Sequence, residues 1–162
     1  ALADSVASTC AVVSDRPEVA AAVAAALAER GVACRHLDAQ CVASGIAAAS
    51  TALAELEADG PIDGLVIALA RPDAVRGTTW SAAVDDHAAL VPELYSDAAW
   101  CRAVADCSAA TERPLRVVTL TDATSPGGRS RAQAVAQLAR SARAATSERV
   151  AAFAVRSSRL SA

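Results

Sequence analysis

Lysine is absent from this chain of 162 residues, so all 15 of its basic side chains are arginines. Methionine is also absent, and Tyr95 is the single tyrosine. Any mechanism that needs a lysine ammonium is therefore excluded from this segment. The turn "SDRPEV", after the first predicted strand, contains no glycine, although glycines there would let the backbone approach a pyrophosphate closely.

The chain also lacks a strong net charge and a membrane-length apolar run. Its net charge is −3, so no broad basic field would attract nucleic acid. The apolar stretch "GLVIALA" has the length of a buried strand, not of a membrane span. The chain begins "ALADSVAS", without a methionine or a charged leader. We expect a cytoplasmic domain, cut from a larger protein, with no nucleic-acid or membrane partner.

The cysteines and histidines show no metal-ligand spacing. The cysteines are Cys10, Cys34, Cys41, Cys101 and Cys107. No C-x-x-C pair occurs among them, although zinc sites and redox dithiols usually need one. We therefore expect no metal site and small, buried or half-buried thiols of a cytosolic protein. His36 and His87 lack companion ligands, so we expect one to be exposed and one to be satisfied locally.

Strand and helix patterns alternate along the chain. A first apolar strand ends at Val13, and further strand patterns lie at 32–37, 65–70, 115–120 and 150–155. Helical patterns lie at 44–58, 80–92, 96–110 and 130–146, and the middle two are either separate or one helix kinked at Pro92. This order predicts a single α/β domain over residues 1–162, with a parallel sheet and helices on both faces.

The first helix carries start and stop signals. Asp15 is the predicted N-cap, Pro17 lies in the first turn, and Glu18 follows Asp15 at capping-box spacing. An apolar stripe of Val19, Val23 and Leu27 faces the core, and Gly31 ends the helix. A turn that loses its glycines and gains a capping box favours stability over ligand binding.

This layout resembles the short-chain dehydrogenase/reductase family over nearly the whole chain. "AVVSDRPEVAAAVAAALAERGV" stands where that family has its first strand, glycine turn and first helix. "IDGLVIALA" and "LRVVTLTDA" stand at its fourth and fifth strands, and "AQAVAQLARSARA" resembles the helix that carries its catalytic tyrosine and lysine. The resemblance implies a Rossmann-like sheet that is truncated after the family's sixth strand.

The positions that would bind the family's cofactor are changed. The glycines of the first turn align near Ser14, Glu18 and Ala20. Glu18 would place a carboxylate at the positive end of the first helix, where a phosphate would otherwise bind. Asp38 alone matches the acid that the family often places near the ribose hydroxyls, and such an aspartate after a strand is usually a solvated turn residue.

The positions that would carry the family's catalysis are changed as well. Residues 67–70 replace the Asn-Ala-Gly signature, and residues 121–123 stand in the region of the catalytic serine. Gly128 and Ala132 align with the catalytic tyrosine and lysine. We therefore expect no catalytic, cofactor-binding or metal-binding residues in this chain.

An intact scaffold without its chemistry resembles the structural subdomain of the ketoreductases of polyketide synthases. "ALAELEADGPIDGLVIALA" and "RPLRVVTLTDATSPGGRSRAQAVAQLARSARAA" look like the corresponding stretches of such subdomains. The resemblance implies a non-catalytic domain without cofactor. Its partner would be an adjoining NADPH-dependent reductase domain of the same polypeptide, and a homodimer stays open.

Two alternative functions remain. The first is a flavodoxin-like or degenerate reductase domain that binds a small anion, because Gly127 and Gly128 precede a predicted helix with Arg129 and Arg131 beside it. The second is an active NAD(P)-dependent oxidoreductase, which the absent lysine and glycines disfavour. Asp85, Asp86 and His87 are adjacent in sequence, so they point to different sides of a helix and form no triad.

The predicted helices between residues 80 and 110 are the expected docking surface. Trp100, Ala103, Val104 and Cys107 follow helical spacing, and Trp80 lies near the start of the region. We expect the large apolar residues there to be exposed to a partner: Trp80, Leu90, Leu94, Trp100 and Val104. Substituting either tryptophan with glutamate should then weaken docking without touching the reductase active site.

Overall fold

In the part of the chain that the structure describes, the fold is a five-stranded, all-parallel sheet in the order β2-β1-β3-β4-β5, with four helices. The computed structural model describes residues 9–40, 45–69, 81, 87–122 and 126–157. The strands are β1 (Thr9–Ser14), β2 (Ala33–Asp38), β3 (Gly64–Ile67), β4 (Leu115–Asp122) and β5 (Val150–Ser157). The helices are α1 (Pro17–Ala28), α2 (Ile46–Ala58), α3 (His87–Thr111) and α4 (Pro126–Ala145). The Rossmann-like parallel architecture predicted from the sequence is confirmed.

The strand order sorts the helices between the two faces of the sheet. The chain moves one way from β1 to β2 and the other way from β2 through β3 and β4 to β5. Right-handed crossovers therefore place α1 on one side of the sheet and the other three helices on the opposite side. We call the side with α2, α3 and α4 the first face, and the side with α1 the second face. Helix α3 packs against both α2 and α4, which keeps these three helices together.

The larger core lies on the first face. Leu53 of α2 and Trp100 and Val104 of α3 are fully buried against Val13 and Ile67 of the sheet. On the second face, a smaller cluster joins strands β1 and β3 to the apolar stripe of α1. That stripe consists of Val19, Val23 and Leu27, as the sequence predicted. Most of the large buried side chains therefore belong to the first face.

Helix α1 begins one residue later than its predicted N-cap. Arg16, not Asp15, is the N-cap residue. Its backbone is extended, and its side chain makes no capping hydrogen bond. The Ser14 hydroxyl accepts the Arg16 backbone N–H at 3.1 Å and so sets the turn before the helix. The predicted capping box between Asp15 and Glu18 is therefore wrong, whereas Pro17 does occupy the first turn.

Two other helix boundaries differ from the sequence prediction. Helix α3 runs unbroken from His87 through Pro92 to Thr111, although Pro92 lies inside the helix and has no backbone N–H to donate. Helix α4 begins at Pro126, where the fixed proline φ suits a first helical position. Gly127 and Gly128 consequently lie in the first turn of α4 and not in a loop before it.

An arginine of the sheet caps helix α2 on the first face. Arg35 of β2 donates through Nη1 to the Leu56 carbonyl at 2.7 Å and to the Gly60 carbonyl at 3.0 Å. Gly60 has φ of 146°, and a Cβ there would lie 2.5 Å from Arg35 Nη2. The turn after α2 therefore needs glycine both for its backbone and for the approach of the guanidinium.

The expected docking surface on α3 is wrong for its central residues. Trp100 and Val104 are both 0% exposed, because their helical stripe faces the first-face core. Among the described side chains of α3, the exposed large hydrophobic residues are instead Val91 and Tyr95. Leu94 is half-buried, whereas Trp80 and the side chain of Leu90 lie outside the described part of the structure. Among the described residues, no helix is both long and apolar enough to cross a membrane.

Candidate functional site at the carboxyl ends of the strands

Ligands of open parallel sheets bind outside the carboxyl ends of the strands, where the strand order reverses. In this sheet the reversal lies between β1 and β3, because β1 pairs with both β2 and β3. The carboxyl end of β1 is Ser14, and β3 is followed by Ala68 and Leu69. These residues and the starts of α1 and α4 therefore define the candidate site.

Ser14 ties the two strands together at the reversal. Its side chain is buried and donates a hydrogen bond to the Ala68 carbonyl at 2.8 Å. The Ala68 backbone N–H in turn donates to the Val13 carbonyl at 2.8 Å. These two bonds hold the first turn against the residues that follow β3. A glycine turn at this point would instead leave space for a phosphate.

The start of α1 already holds an anion. Arg16 Nε lies 2.6 Å from Glu18 Oε1 in an exposed ion pair. The pKa of Glu18 is lowered, first by the hydrogen bond from its own backbone N–H and then by the one from Arg16. A carboxylate therefore occupies the positive end of the helix dipole and would repel a second anion. This placement agrees with the role that the sequence suggested for Glu18.

A buried ion pair crosses the site beside the end of β3. Arg131 of α4 contacts Asp97 of α3 through two parallel bonds, Nε to Oδ2 and Nη2 to Oδ1, both 2.8 Å long. Its third nitrogen, Nη1, donates to the Leu69 carbonyl at 2.9 Å. Arg131 is 5% exposed and Asp97 is 0% exposed. The guanidinium thus links three elements of the chain. Its charge is paired inside the protein, which disfavours the anion-binding alternative for Arg131.

Two neighbours of Asp97 on α3 are also buried. The pKa of the Cys101 thiol is raised to about 11, mainly by burial and further by the negative charge of Asp97. The Trp100 indole nitrogen is a buried donor without a hydrogen-bond partner in the described structure. The Cys101 thiol is not a reactive nucleophile, because a thiol with a raised pKa stays protonated at neutral pH.

The residues that align with reductase chemistry occupy matching places without matching groups. Thr121 lies at the end of β4, and its hydroxyl donates to the Val155 carbonyl at 3.4 Å. Gly128 and Ala132 are one turn apart on α4, which is the spacing of a tyrosine and a lysine on one helix face. Asp38 ends β2 beside Ser14, where its exposed carboxylate accepts the Gln40 backbone N–H at 2.9 Å.

The thiols and histidines form no metal-binding cluster in the described part of the chain. Cys10 and Cys101 are buried, and Cys34 and Cys107 are half-buried free thiols, as the sequence predicted. Cys10 and Cys34 are partners in register on β1 and β2, a proximity that their distant sequence positions could not reveal. His36 is exposed, whereas Cys41 and the side chain of His87 lie outside the part of the chain that the structure describes. No group of three or more potential metal ligands occurs among the described residues.

A shallow pocket lies away from this site, on the second face. It is enclosed by α1 and the edge strand β2, has a volume of about 250 Å³, and is mainly apolar. Ala20 and Ala24 form one wall, and Cys34 and His36 form the other. This volume is below the roughly 300–1,000 Å³ of typical small-molecule sites.

Sequence reasoning missed two of the residues that organise the site, Ser14 as a strand tie and Asp97 as a buried acid. A signal for Asp97 was present, because it lies in helical phase with Trp100 and Val104 of the buried stripe. An acid within an apolar stripe requires a buried cation as its partner. The sequence contains no comparable signal for which of the 15 basic residues that partner would be.

Neither of two comparisons with known proteins found a match. No protein-family model matches the chain, and no curated protein matches it. The five-stranded parallel sheet therefore defines the class of the protein, a Rossmann-like α/β domain, and the geometry of the chain carries the functional argument.

Proposed function

We propose that this chain is a non-catalytic structural domain that supports an adjoining ketoreductase domain of the same polypeptide, as in a polyketide synthase or a related multidomain synthase. Its role would be to provide a folded partner surface and not to bind a cofactor. The adjoining domain would carry the NADPH and the catalytic groups.

The observation that carries this proposal is the use of the site's polar groups for internal bonds. Ser14 binds the Ala68 carbonyl, and Arg131 binds Asp97 and the Leu69 carbonyl. Glu18 adds a carboxylate where a dinucleotide would place its pyrophosphate. These bonds favour a stable scaffold, because a ligand would have to break a buried ion pair to use either of its charges.

Cofactor binding and turnover of the chain test the proposal. We expect no saturable binding of NADPH or NADH in a calorimetric titration, and no reduction of a ketone or β-ketoacyl thioester by pure protein. A dissociation constant in the low micromolar range, or turnover free of host enzymes, would contradict the proposal.

Support of a partner is tested on a polypeptide that carries this chain and a following reductase domain. We expect removal of this chain to lower the melting temperature of the reductase domain. Loss of turnover per folded molecule at unchanged melting temperature would mean that this domain takes part in the chemistry.

One observation favours the anion-binding alternative. The strand order 2-1-3-4-5 is also that of flavodoxin-like domains, which bind their ligand at the β1/β3 reversal. Against it, Arg131 is already paired, and Gly127 and Gly128 belong to a helix. Titration with flavin mononucleotide and with inorganic phosphate separates the two functions, because the structural domain should bind neither.

A further inference from the structure

The second face of the sheet leaves apolar side chains exposed on β5 and half-buried on β4. We call the side chains of Arg116, Val118, Leu120, Phe153 and Val155 the β4–β5 face. Val118 lies opposite Phe153 and Leu120 opposite Val155 in the strand register. Phe153 is 55% exposed and Val155 is 43% exposed, which is unusual for large apolar residues in a parallel sheet.

The position of the helices explains this exposure. Helix α1 contacts β1 and β2, whereas α4, which connects β4 to β5, lies on the first face with α3. Within the described residues, no helix covers the second face of β4 and β5. Parallel sheets normally bury both faces under helices, so this area is the incomplete part of the architecture.

Arg116 adds a charge at one end of the β4–β5 face. It is the second residue of β4 and is half-buried, and its Cβ would lie 3.7 Å from a Cβ added at Gly64. Cys10, Gly64 and Arg116 thus form one row across the second face. Within the described structure the Arg116 guanidinium makes no hydrogen bond or ion pair. A half-buried guanidinium without a partner in the described residues keeps its donors available to acceptors of another chain or domain.

The first face shows what such an arginine can do. Arg35 lies in the amino-terminal half of β2 and donates to the carbonyls of Leu56, Asp59 and Gly60 at the C-terminal end of α2. Helices that connect parallel strands run antiparallel to them, so their C-terminal carbonyls lie near the amino ends of the strands. Arg116 has the equivalent position on the second face, with the helix missing. A cation there is favourable for a helix C-terminus.

We propose that the β4–β5 face binds an amphipathic α-helix of the adjoining domain, antiparallel to the strands, with its C-terminal carbonyls on Arg116. The eight residues of β5 span about 26 Å, the length of a helix of about 17 residues. Two strands are about 10 Å wide, which matches the diameter of one helix. This inference rests on the proposed function, because that function supplies the partner.

A second copy of the chain is a poorer occupant. The β4–β5 face contains a cation and no acid among its five residues. Two copies packed face to face would bury two arginines without bringing a carboxylate to either. The desolvation of unpaired charges opposes such a dimer. The complementary occupant therefore brings acceptors, as a helix C-terminus does.

The test uses the chain and a 17-residue amphipathic peptide that is covalently stapled as a helix. A second peptide of the same composition, with its apolar stripe scrambled, is the control. Binding is measured by backbone NMR shifts and by calorimetry, and we expect shifts confined to β4, β5 and their neighbours. We expect Phe153→Glu to weaken binding at least tenfold and Arg116→Ala to weaken it severalfold.

Tyr95→Glu is the matched control variant, because Tyr95 is 48% exposed on α3, close to the exposure of Phe153. It should change the affinity less than twofold. Melting temperatures of all variants confirm that each one is folded. The inference is overturned by the absence of saturable binding, by equal binding of the scrambled peptide, or by shifts that map to Val91 and Tyr95.

Sedimentation of the chain alone tests the second copy. A dimer that Phe153→Glu dissociates would overturn the inference, because the occupant would then be another copy. Failure of the helix-binding inference is distinguishable from failure of the proposed function. The proposed function would stand if this chain stabilised the reductase domain through the α3 surface, and it would fall if the isolated chain bound NADPH.

Discussion

The two faces of the sheet differ in how much of their apolar surface the chain covers by itself. On the first face, three helices bury Trp100, Leu53 and Val104 completely. On the second face, α1 covers the strands β1 and β2, while Phe153 and Val155 stay exposed. The first face therefore holds most of the stability of the domain, and the second face is where a partner can add to it.

The polar interactions follow the same division. Arg131 and Asp97 form a buried pair on the first-face side, and Arg35 caps α2 there. On the second face, Arg116 has the position of a capping arginine without a helix to cap. The missing helix therefore makes Arg116 a candidate contact for a partner.

The largest expected effect is the difference in stability between substitution of Trp100 on the first face and of Phe153 on the second face. Trp100→Glu should prevent folding, because truncating a buried tryptophan costs about 3–5 kcal/mol and the new carboxylate would be buried without a partner. Phe153→Glu should leave the chain folded, because the side chain already contacts water. Circular dichroism and thermal melting measure both. A folded Trp100→Glu variant with a melting temperature near wild type would mean that Trp100 does not lie in the first-face core.

The next effect concerns the buried ion pair. Asp97→Asn leaves the Arg131 guanidinium buried beside a neutral partner, so the free energy of unfolding should fall by about 3–5 kcal/mol. Arg102→Gln is the control on the same helix, because its pair with Asp106 is exposed and should contribute less than about 0.5 kcal/mol. Urea denaturation measures both variants. Equal losses would mean that Asp97 and Arg131 are solvated.

The double variant Asp97→Leu/Arg131→Met sharpens this result. Removing both charges together should recover most of the stability lost in Asp97→Asn, because no unpaired charge remains. If the double variant is less stable than Asp97→Asn, the ion pair stabilises the folded state by more than the cost of burying its two charges.

The effect that is smallest near neutral pH is a pH dependence from two buried thiols, one beside each face. Burial is the main cause that raises the pKa values of Cys10 and Cys101 to about 11. The folded state then holds protons that the unfolded state releases above its ordinary thiol pKa of about 8.5. The resulting stability is complete below that pH and is lost as the pH rises towards about 11.

The double variant Cys10→Ala/Cys101→Ala should lose less stability than wild type between pH 8 and pH 10.5. Urea denaturation at a series of pH values measures the slopes. Cys34→Ala is the control, because Cys34 is half-buried and should change the slope less. Parallel slopes for wild type and the double variant would contradict the burial of the two thiols.

The local order of elements was readable from the sequence. Alternating strands and helices predicted the parallel sheet, and the apolar stripe of α1 was placed correctly by its helical spacing. The stripe around Trp100 was also placed correctly as a helix face, yet its exposure was not. A spacing identifies which side of a helix is apolar, but whether that side meets the core or a partner depends on elements distant in sequence.

The site was less predictable than the fold. Glu18 at the start of α1 followed from its position next to a helix start, which is a local relation. Arg131 was identified as a candidate anion ligand because it lay near glycines and a helix start, and it instead binds Asp97 of another helix. Arg131 has an internal partner and not a ligand because α3 packs against α4 and brings Asp97 beside it.

Sequence by itself determined the fold class, the absence of lysine chemistry and the loss of the glycine turn, because each depends on residue identity or on neighbours along the chain. Only the tertiary structure decided that Ser14 ties β1 to the end of β3, that Arg131 is buried with Asp97, and that Phe153 is exposed. These contacts join residues far apart in sequence, and the crossover direction of each connection sets which face they reach. The second face stays open over β4 and β5 because three of the four helices in the described part of the chain lie on the other side.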